Sequence, residues 1–220
     1  MKAEIVLRAL RDGAVSFQNH KICVQGHLII DGDVDFSVGN IDFDGHVTIK
    51  GTVKDGFSVL SVYDISILGE IGIGTTGKIF SSMGSVYIKG GVNGKGITDI
   101  YADQNVYVKY ANEATITAGR EINIGYYAIG CNLYGDKVLI DGLNGRLISG
   151  SVYVKSQVIA GVIGNVTERE TNISVHGFNR FELRKEYEDI LGQYKELLGT
   201  SDKLKGNLNR YKKIQLKHTS

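Results

Sequence analysis

The chain has 220 residues, 29 of them glycine and none proline, and a net charge of +1. That length holds one or two domains. So balanced a charge gives no argument for a nucleic-acid partner, and no run of about 18 apolar residues exists to span a membrane.

Residues 1 to 10 alternate charged and apolar side chains and hold no signal-peptide core, so a cytoplasmic protein is expected. Cys23 and Cys131 lie too far apart in sequence for a metal knuckle. Unpaired, they fit a reducing compartment. Residues 1–25 are expected to form short strands that cap the rest of the chain.

From residue 26 an apolar pair of the form Val47-x-Ile49 recurs: Leu28/Ile30, Val47/Ile49, Ile65/Ile67, Val86/Ile88, Val106/Val108, Ile122/Ile124, Val138/Ile140 and Val152/Val154. The steps are 19, 18, 21, 20, 16, 16 and 14 residues. Gly32, Gly51, Gly69, Gly90 and Gly142 each lie two residues after a pair. A period of that length with a short strand in every repeat marks a solenoid. Glycine reaches positive φ without steric cost, which suits a chain that turns after every short strand. Alternation in each repeat puts one side inward and the other toward water. One coil cannot bury its apolar side alone, whereas stacked coils bury it in a continuous core. Steps of 14 to 21 residues do not keep the six-residue register of a left-handed β-helix. The expected fold of residues 26–177 is therefore an all-β solenoid, a right-handed parallel β-helix of about eight coils and roughly 40 Å.

Residues 178–220 change regime. Leu183, Tyr187, Ile190, Tyr194 and Leu197 are spaced 4, 3, 4 and 3, and Leu204, Leu208 and Tyr211 keep the phase across Ser201. This predicts an α-helical coiled-coil tail starting near Phe178. Gly192, Gly199 and Gly206 recur every seven residues outside that seam. Two arrangements fit: one long, weak helix, or a hairpin broken at Gly199. The tail carries ten basic and six acidic residues, leaving fifteen and eighteen for the rest.

The stretch Gly39-Asn-Ile-Asp-Phe-Asp-Gly-His-Val-Thr-Ile-Lys-Gly-Thr-Val-Lys-Asp-Gly-Phe57, continued by Asp64-Ile-Ser-Ile-Leu-Gly69 and Ile88-Lys-Gly-Gly-Val-Asn-Gly94, resembles the β-helical domain of the flagellar assembly protein A family. That bacterial group is related in architecture to the polymer-forming bactofilins. The resemblance implies a scaffold in flagellar assembly or cell-envelope morphology, placed in the cytoplasm at the cell pole or inner-membrane periphery. It implies no catalytic residues and no cofactor. Self-association through the coiled coil or the β-helix ends is expected, together with a flagellar or envelope protein partner.

Several motifs carry candidate chemistry. Gly72-Ile-Gly74-Thr-Thr-Gly77-Lys78 matches the dinucleotide pattern, but such a loop must open a helix, and Ile79-Phe-Ser returns to strand. A glycine-rich corner is expected instead. His27, His46 and Asp64 each precede an apolar pair, so they stack in one column, a donor set for a metal. The coil spacing of about 4.8 Å makes a solvated polar ladder the plainer reading. Asp31, Asp33, Asp35, Asp42 and Asp44 form an acidic patch, and its carboxylates are candidates for catalysis or calcium. Alternating Asp on an outward, solvated strand face is the plainer reading. Val86-Tyr-Ile-Lys89, Val106-Tyr-Val-Lys109 and Val152-Tyr-Val-Lys155 repeat an outward Tyr before an outward Lys. Tyr87 and Tyr107 should stack, with Lys89 above Lys109, as a stabilising ladder or a partner-binding face. The basic run Lys203, Lys205, Arg210, Lys212, Lys213 and Lys217 reads as a solvated helix face, with an anionic membrane surface as the alternative.

Overall fold

The computed structural model describes Arg8 and residues 13–18, 21–141, 143–166, 169–177 and 180–218, the side chains of 16, 18, 21 and 207–218 excepted. Gly142 and Phe178 lie outside the described residues, as does most of 1–12. The chain divides into two units between residues 177 and 178.

The first unit opens with an antiparallel hairpin, β1 (Ala14–Gln18) and β2 (Lys21–Gln25), which forms its own two-stranded sheet. The solenoid then runs as β3 (His27–Ile30), β4 (Ile41–Phe43), β5 (His46–Ile49), β6 (Val59–Ser61), β7 (Ile65–Ile67), β8 (Gly72–Ile73), β9 (Lys78–Ser81), β10 (Val86–Ile88), β11 (Gly91–Asn93), β12 (Asp99–Ala102), β13 (Val106–Val108), β14 (Ala111–Asn112), β15 (Thr115–Ala118), β16 (Glu121–Ile124), β17 (Tyr127–Ile140), β18 (Arg146–Ile159), β19 (Val162–Ile163) and β20 (Thr171–Val175). All of its strand pairings are parallel, and each coil contributes to three faces. Face one stacks β3, β5, β7, β10, β13 and β16, then the ends of β17 and β18. Face two runs from Val34 and Val53 through β8, β11 and β14 to β19. Face three runs from β4 through β6, β9, β12 and β15 to β20. The chain is thus a parallel β-solenoid of about eight coils, as the repeat predicts.

Its core arises from β-branched residues at alternate positions. Val47, Ile49, Ile65, Ile67, Ile79, Ile100, Ile116 and Ile122 are all fully buried. Each contributes on the order of 2 kcal/mol relative to exposure. Face three narrows the section with small inward residues, Ser61, Ser81, Ala102 and Ala118. The serines remain satisfied: Ser81 Oγ donates to the Tyr63 carbonyl at 2.7 Å, and Ser61 Oγ to that of Gly45.

Corners are tied from coil to coil by side chains. The carboxylate or amide oxygens of Asp33, Asn40, Asp55, Asp64 and Asn105 accept from the backbone amides of Thr52, Ser58, Thr75, Ser85 and Glu121, at 2.8 to 3.2 Å. Each acceptor caps an amide of the next coil, an arrangement that keeps buried backbone groups paired.

One repeat lies elsewhere than expected. Val152 pairs with Leu133 and Ile173, so Val152/Val154 belongs to face three. Face one continues with Val158 beside Val138, a step of 20 residues rather than 14. β17 and β18 run unbroken around two corners, and strict alternation carries no label for the face it lies on.

The second unit is a single helix, α1 (Arg180–His218), of 39 residues and about 58 Å at 1.5 Å per residue. Gly192, Gly199 and Gly206 lie inside it, so the chain does not break at Gly199. Among the described residues no helix is long and apolar enough to cross a membrane.

Candidate functional site

Tyr87 and Tyr107 are the outward residues of β10 and β13, which pair in register. In-register strands stand about 4.8 Å apart, so equal side chains are placed face to face by the backbone. The rings are parallel within 2° with centroids 4.9 Å apart, and both remain about 40% exposed. Burial, helped by Tyr87 and Glu121, pushes the Tyr107 phenol above its usual range.

The two lysines of the stripe differ. Lys89 Nζ lies 2.6 Å from Glu70 Oε1, and that hydrogen bond holds Glu70 below the usual carboxylate range. Lys109 lies over the Tyr126 ring, 5.8 Å from its centroid, a cation–π distance. Among the described residues no carboxylate comes within ion-pair distance of Lys109. An open groove of about 590 Å³ runs beside it, lined in part by Tyr107, Asn123, Tyr126, Leu139 and Asp141. Asn123 comes next after Tyr107 in the column, and its Nδ2 is buried without a protein partner. The chemistry offered is one unpaired cation over an aromatic ring, in a groove that Tyr107 also lines, with hydrogen-bonding groups alongside.

The third Tyr-x-Lys unit is not part of this stripe. Tyr153 stacks on Tyr134 at 5.3 Å on face three, and Lys155 pairs with Asp136 at 3.1 Å. Face three holds a longer aromatic column than face one. Phe80 and Tyr101 stack at 4.8 Å, Thr117 interrupts, and Tyr134 and Tyr153 resume. Lys78 lies 4.4 Å from the Phe80 ring centroid. Sequence reading missed this column, as it missed Glu70 and Tyr126. Aligning the face-three strands on Ile79, Ile100 and Ile116 would have exposed it.

His27, His46 and Asp64 do stack in one column, with His27 opposite His46 and Asp64 just ahead of β7. They do not converge. His27 Nε2 meets Thr48 Oγ1 at 2.9 Å, and His46 Nδ1 lies 3.5 Å from Asp64 Oδ2. The two imidazoles are edge-on at 6.1 Å, and His46 stacks on Tyr63. No group of three or more His, Cys, Asp or Glu among the described residues is arranged to hold a metal ion. Farther along the same column, register puts Gln157 beside Lys137.

The acidic patch is largely occupied by structural bonds. Asp31 pairs with Lys50 at 2.6 Å. Asp33 accepts from Thr52 and pairs with Lys54 at 2.8 Å, which lowers its carboxyl and raises the Lys54 ammonium. Asp35 accepts from the Ser37 hydroxyl and amide, which lowers it as well. Asp42 and Asp44 are exposed beside an open groove near Gly13. The Gly72–Lys78 motif links β8 to β9, strand to strand, with no helix to receive a phosphate.

On α1 the apolar seam faces solvent: Leu183, Tyr187, Ile190, Tyr194, Leu197 and Leu204 are 48 to 69% exposed. The side chains of Leu208 and Tyr211, and of the basic residues from Arg210 onward, lie outside the described set. Neither a curated protein nor a solved structure matches the chain significantly. The family model described as the Flagellar Assembly Protein A beta solenoid domain matches residues 26–220, which takes in both the three-faced solenoid and α1, and the chain therefore belongs to that flagellar assembly family.

Proposed function

We propose that this protein is a non-enzymatic scaffold for flagellar assembly, a β-solenoid brought into register with other molecules through α1. The observation that carries the reading is the exposed heptad seam of α1. Six large apolar side chains at 4-3 spacing leave water only when another helix covers them. Three internal glycines each weaken the isolated helix by about 1 kcal/mol, so association supplies stability that the sequence of the helix withholds. Cytoplasmic placement near the pole or inner membrane goes with this reading, and the basic run of the tail adds affinity for an anionic surface.

Light scattering on the full chain tests the assembly. An oligomer is expected, and Ile190→Asp/Leu197→Asp should return it to monomer without unfolding the solenoid. A wild-type chain that stays monomeric at high concentration would sink the proposal.

A second contact is favoured by Lys109, the unpaired cation over the Tyr126 ring. It fits an acidic loop of a flagellar or envelope protein. Tyr107→Ala/Lys109→Ala should abolish recovery of such a partner by the full chain, and unchanged recovery would count against this face.

A further inference from the structure

We infer that α1 pairs with α1 of a second copy in antiparallel orientation, centred at Gly199. The inference rests on the self-association proposed above and adds its geometry. The seam positions are 183, 187, 190, 194, 197, 201 and 204. With the two 39-residue helices fully overlapped and reversed, position 194 meets 204 of the copy and 197 meets 201. Positions 190, 187 and 183 meet 208, 211 and 215, which continue the same 4-3 phase.

Size complementarity distinguishes this arrangement from a parallel one. A parallel in-register pair sets Tyr187 on Tyr187, Tyr194 on Tyr194 and Ser201 on Ser201, alternating crowded and empty layers. The antiparallel pair sets Tyr194 on Leu204 and Leu197 on Ser201, so that around the centre large meets medium and medium meets small, and position 187 meets 211 as its one Tyr-on-Tyr combination, where the parallel pair has three. Close packing of unequal side chains avoids both overpacked layers and cavities.

Charge points the same way. Residues 180–202 carry four basic and six acidic side chains, and residues 203–218 carry six basic and none acidic. Packed helices lie about 8–10 Å apart, comparable to the Debye length of about 8 Å at physiological salt. A parallel pair holds the two basic segments side by side, whereas the antiparallel pair lays each beside residues 180–195 of the partner, which carry four basic and four acidic side chains and no net charge.

Cysteine trapping tests the orientation. Tyr194→Cys and Leu204→Cys are made separately in a Cys23→Ser background, with tags of different size, then mixed, allowed to exchange and oxidised in glutathione buffer. Circular dichroism confirms that each variant keeps its helix. A disulfide requires Cα atoms within about 7 Å. In the antiparallel pair the two residues 194 are ten positions from alignment, about 15 Å along the helix. The mixed 194–204 product should therefore dominate. Self-linked 194–194 and 204–204 products without the mixed one would overturn the antiparallel geometry while leaving self-association standing. A monomeric Cys23→Ser parent would overturn both.

Discussion

At Gly72 the absence of a side chain decides whether two coils can stack. Its φ is +80°, and a Cβ there would run into the backbone of Gly91 in the next coil. Gly56 has a similar φ of +84°, but open space where its Cβ would be. Gly56→Ala should therefore cost about 1 kcal/mol, the left-handed penalty alone, and Gly72→Ala about 3 kcal/mol or more, as read by urea denaturation. The glycine motif at 72–77 was legible in sequence as a corner because a strand pattern comes directly after it. That its first glycine is also an intercoil contact was not, since sequence order says nothing of the backbone one coil away. The carboxylates make a pH prediction. Asp33, Asp35 and Glu70 are all lowered in the folded state, by Lys54, Ser37 and Lys89 respectively. A lowered carboxylate stabilises the fold above its unfolded value, near pH 4, and loses that contribution as pH falls through the folded value. Asp33→Asn keeps an acceptor for Thr52 but loses the Lys54 pair. Its denaturation midpoint should lie below wild type at pH 6, with the gap closing toward pH 2. The cysteines should separate by reactivity. Cys131 is fully buried and its thiol is raised by that burial, whereas Cys23 is exposed. A thiol reagent at neutral pH should modify Cys23 quickly, and Cys131 only after denaturant is added.

At the scale of single elements, the strands of face one were readable because seven of the eight pairs, all with the same inward spacing, fall on that face. The exception is instructive. Val152-Tyr-Val-Lys155 has the same alternation as Val106-Tyr-Val-Lys109, yet register puts it on face three. Only the pairing of Val138 with Val158 reveals the true eighth strand. The same ambiguity hid the face-three aromatics, whose stacking is visible only once the coils are aligned. Tyr134 and Tyr153 lie within 6° of parallel, so a double-mutant cycle to Ala should return a coupling of about 0.5–1.5 kcal/mol. In α1 the heptad spacing was legible, but continuity across Gly199 was not, because a helix-internal glycine and a helix-ending one look alike without their neighbours. Nothing crowds a Cβ at that site. Gly199→Ala should raise helix stability by about 1 kcal/mol, visible as greater ellipticity at 222 nm and tighter self-association.

In the solenoid as a whole, each coil touches only its neighbours, so stability is a sum of coils and their interfaces. Burial shows where that sum is thin. The inward residues of β10, β13 and β16 are all buried, whereas Ile173 and Val175 of the last coil are 38% and 50% exposed. Hydrogen exchange should therefore be slowest in β10, β13 and β16 and fastest in β20. The corner bonds from Asp33, Asn40, Asp55, Asp64 and Asn105 have a consequence of another kind. Each fastens a turn to the turn above it, whatever number of residues the chain spends between them, and successive steps here range from 16 to 21. Axial length is thus counted in turns and not in amino acids. Duplication or loss of one complete turn would lengthen or shorten the molecule by a fixed increment of about 4.8 Å and leave its cross-section unchanged. A polypeptide built this way behaves as a ruler graduated in coils, one whose corners tolerate insertion while its scale is preserved.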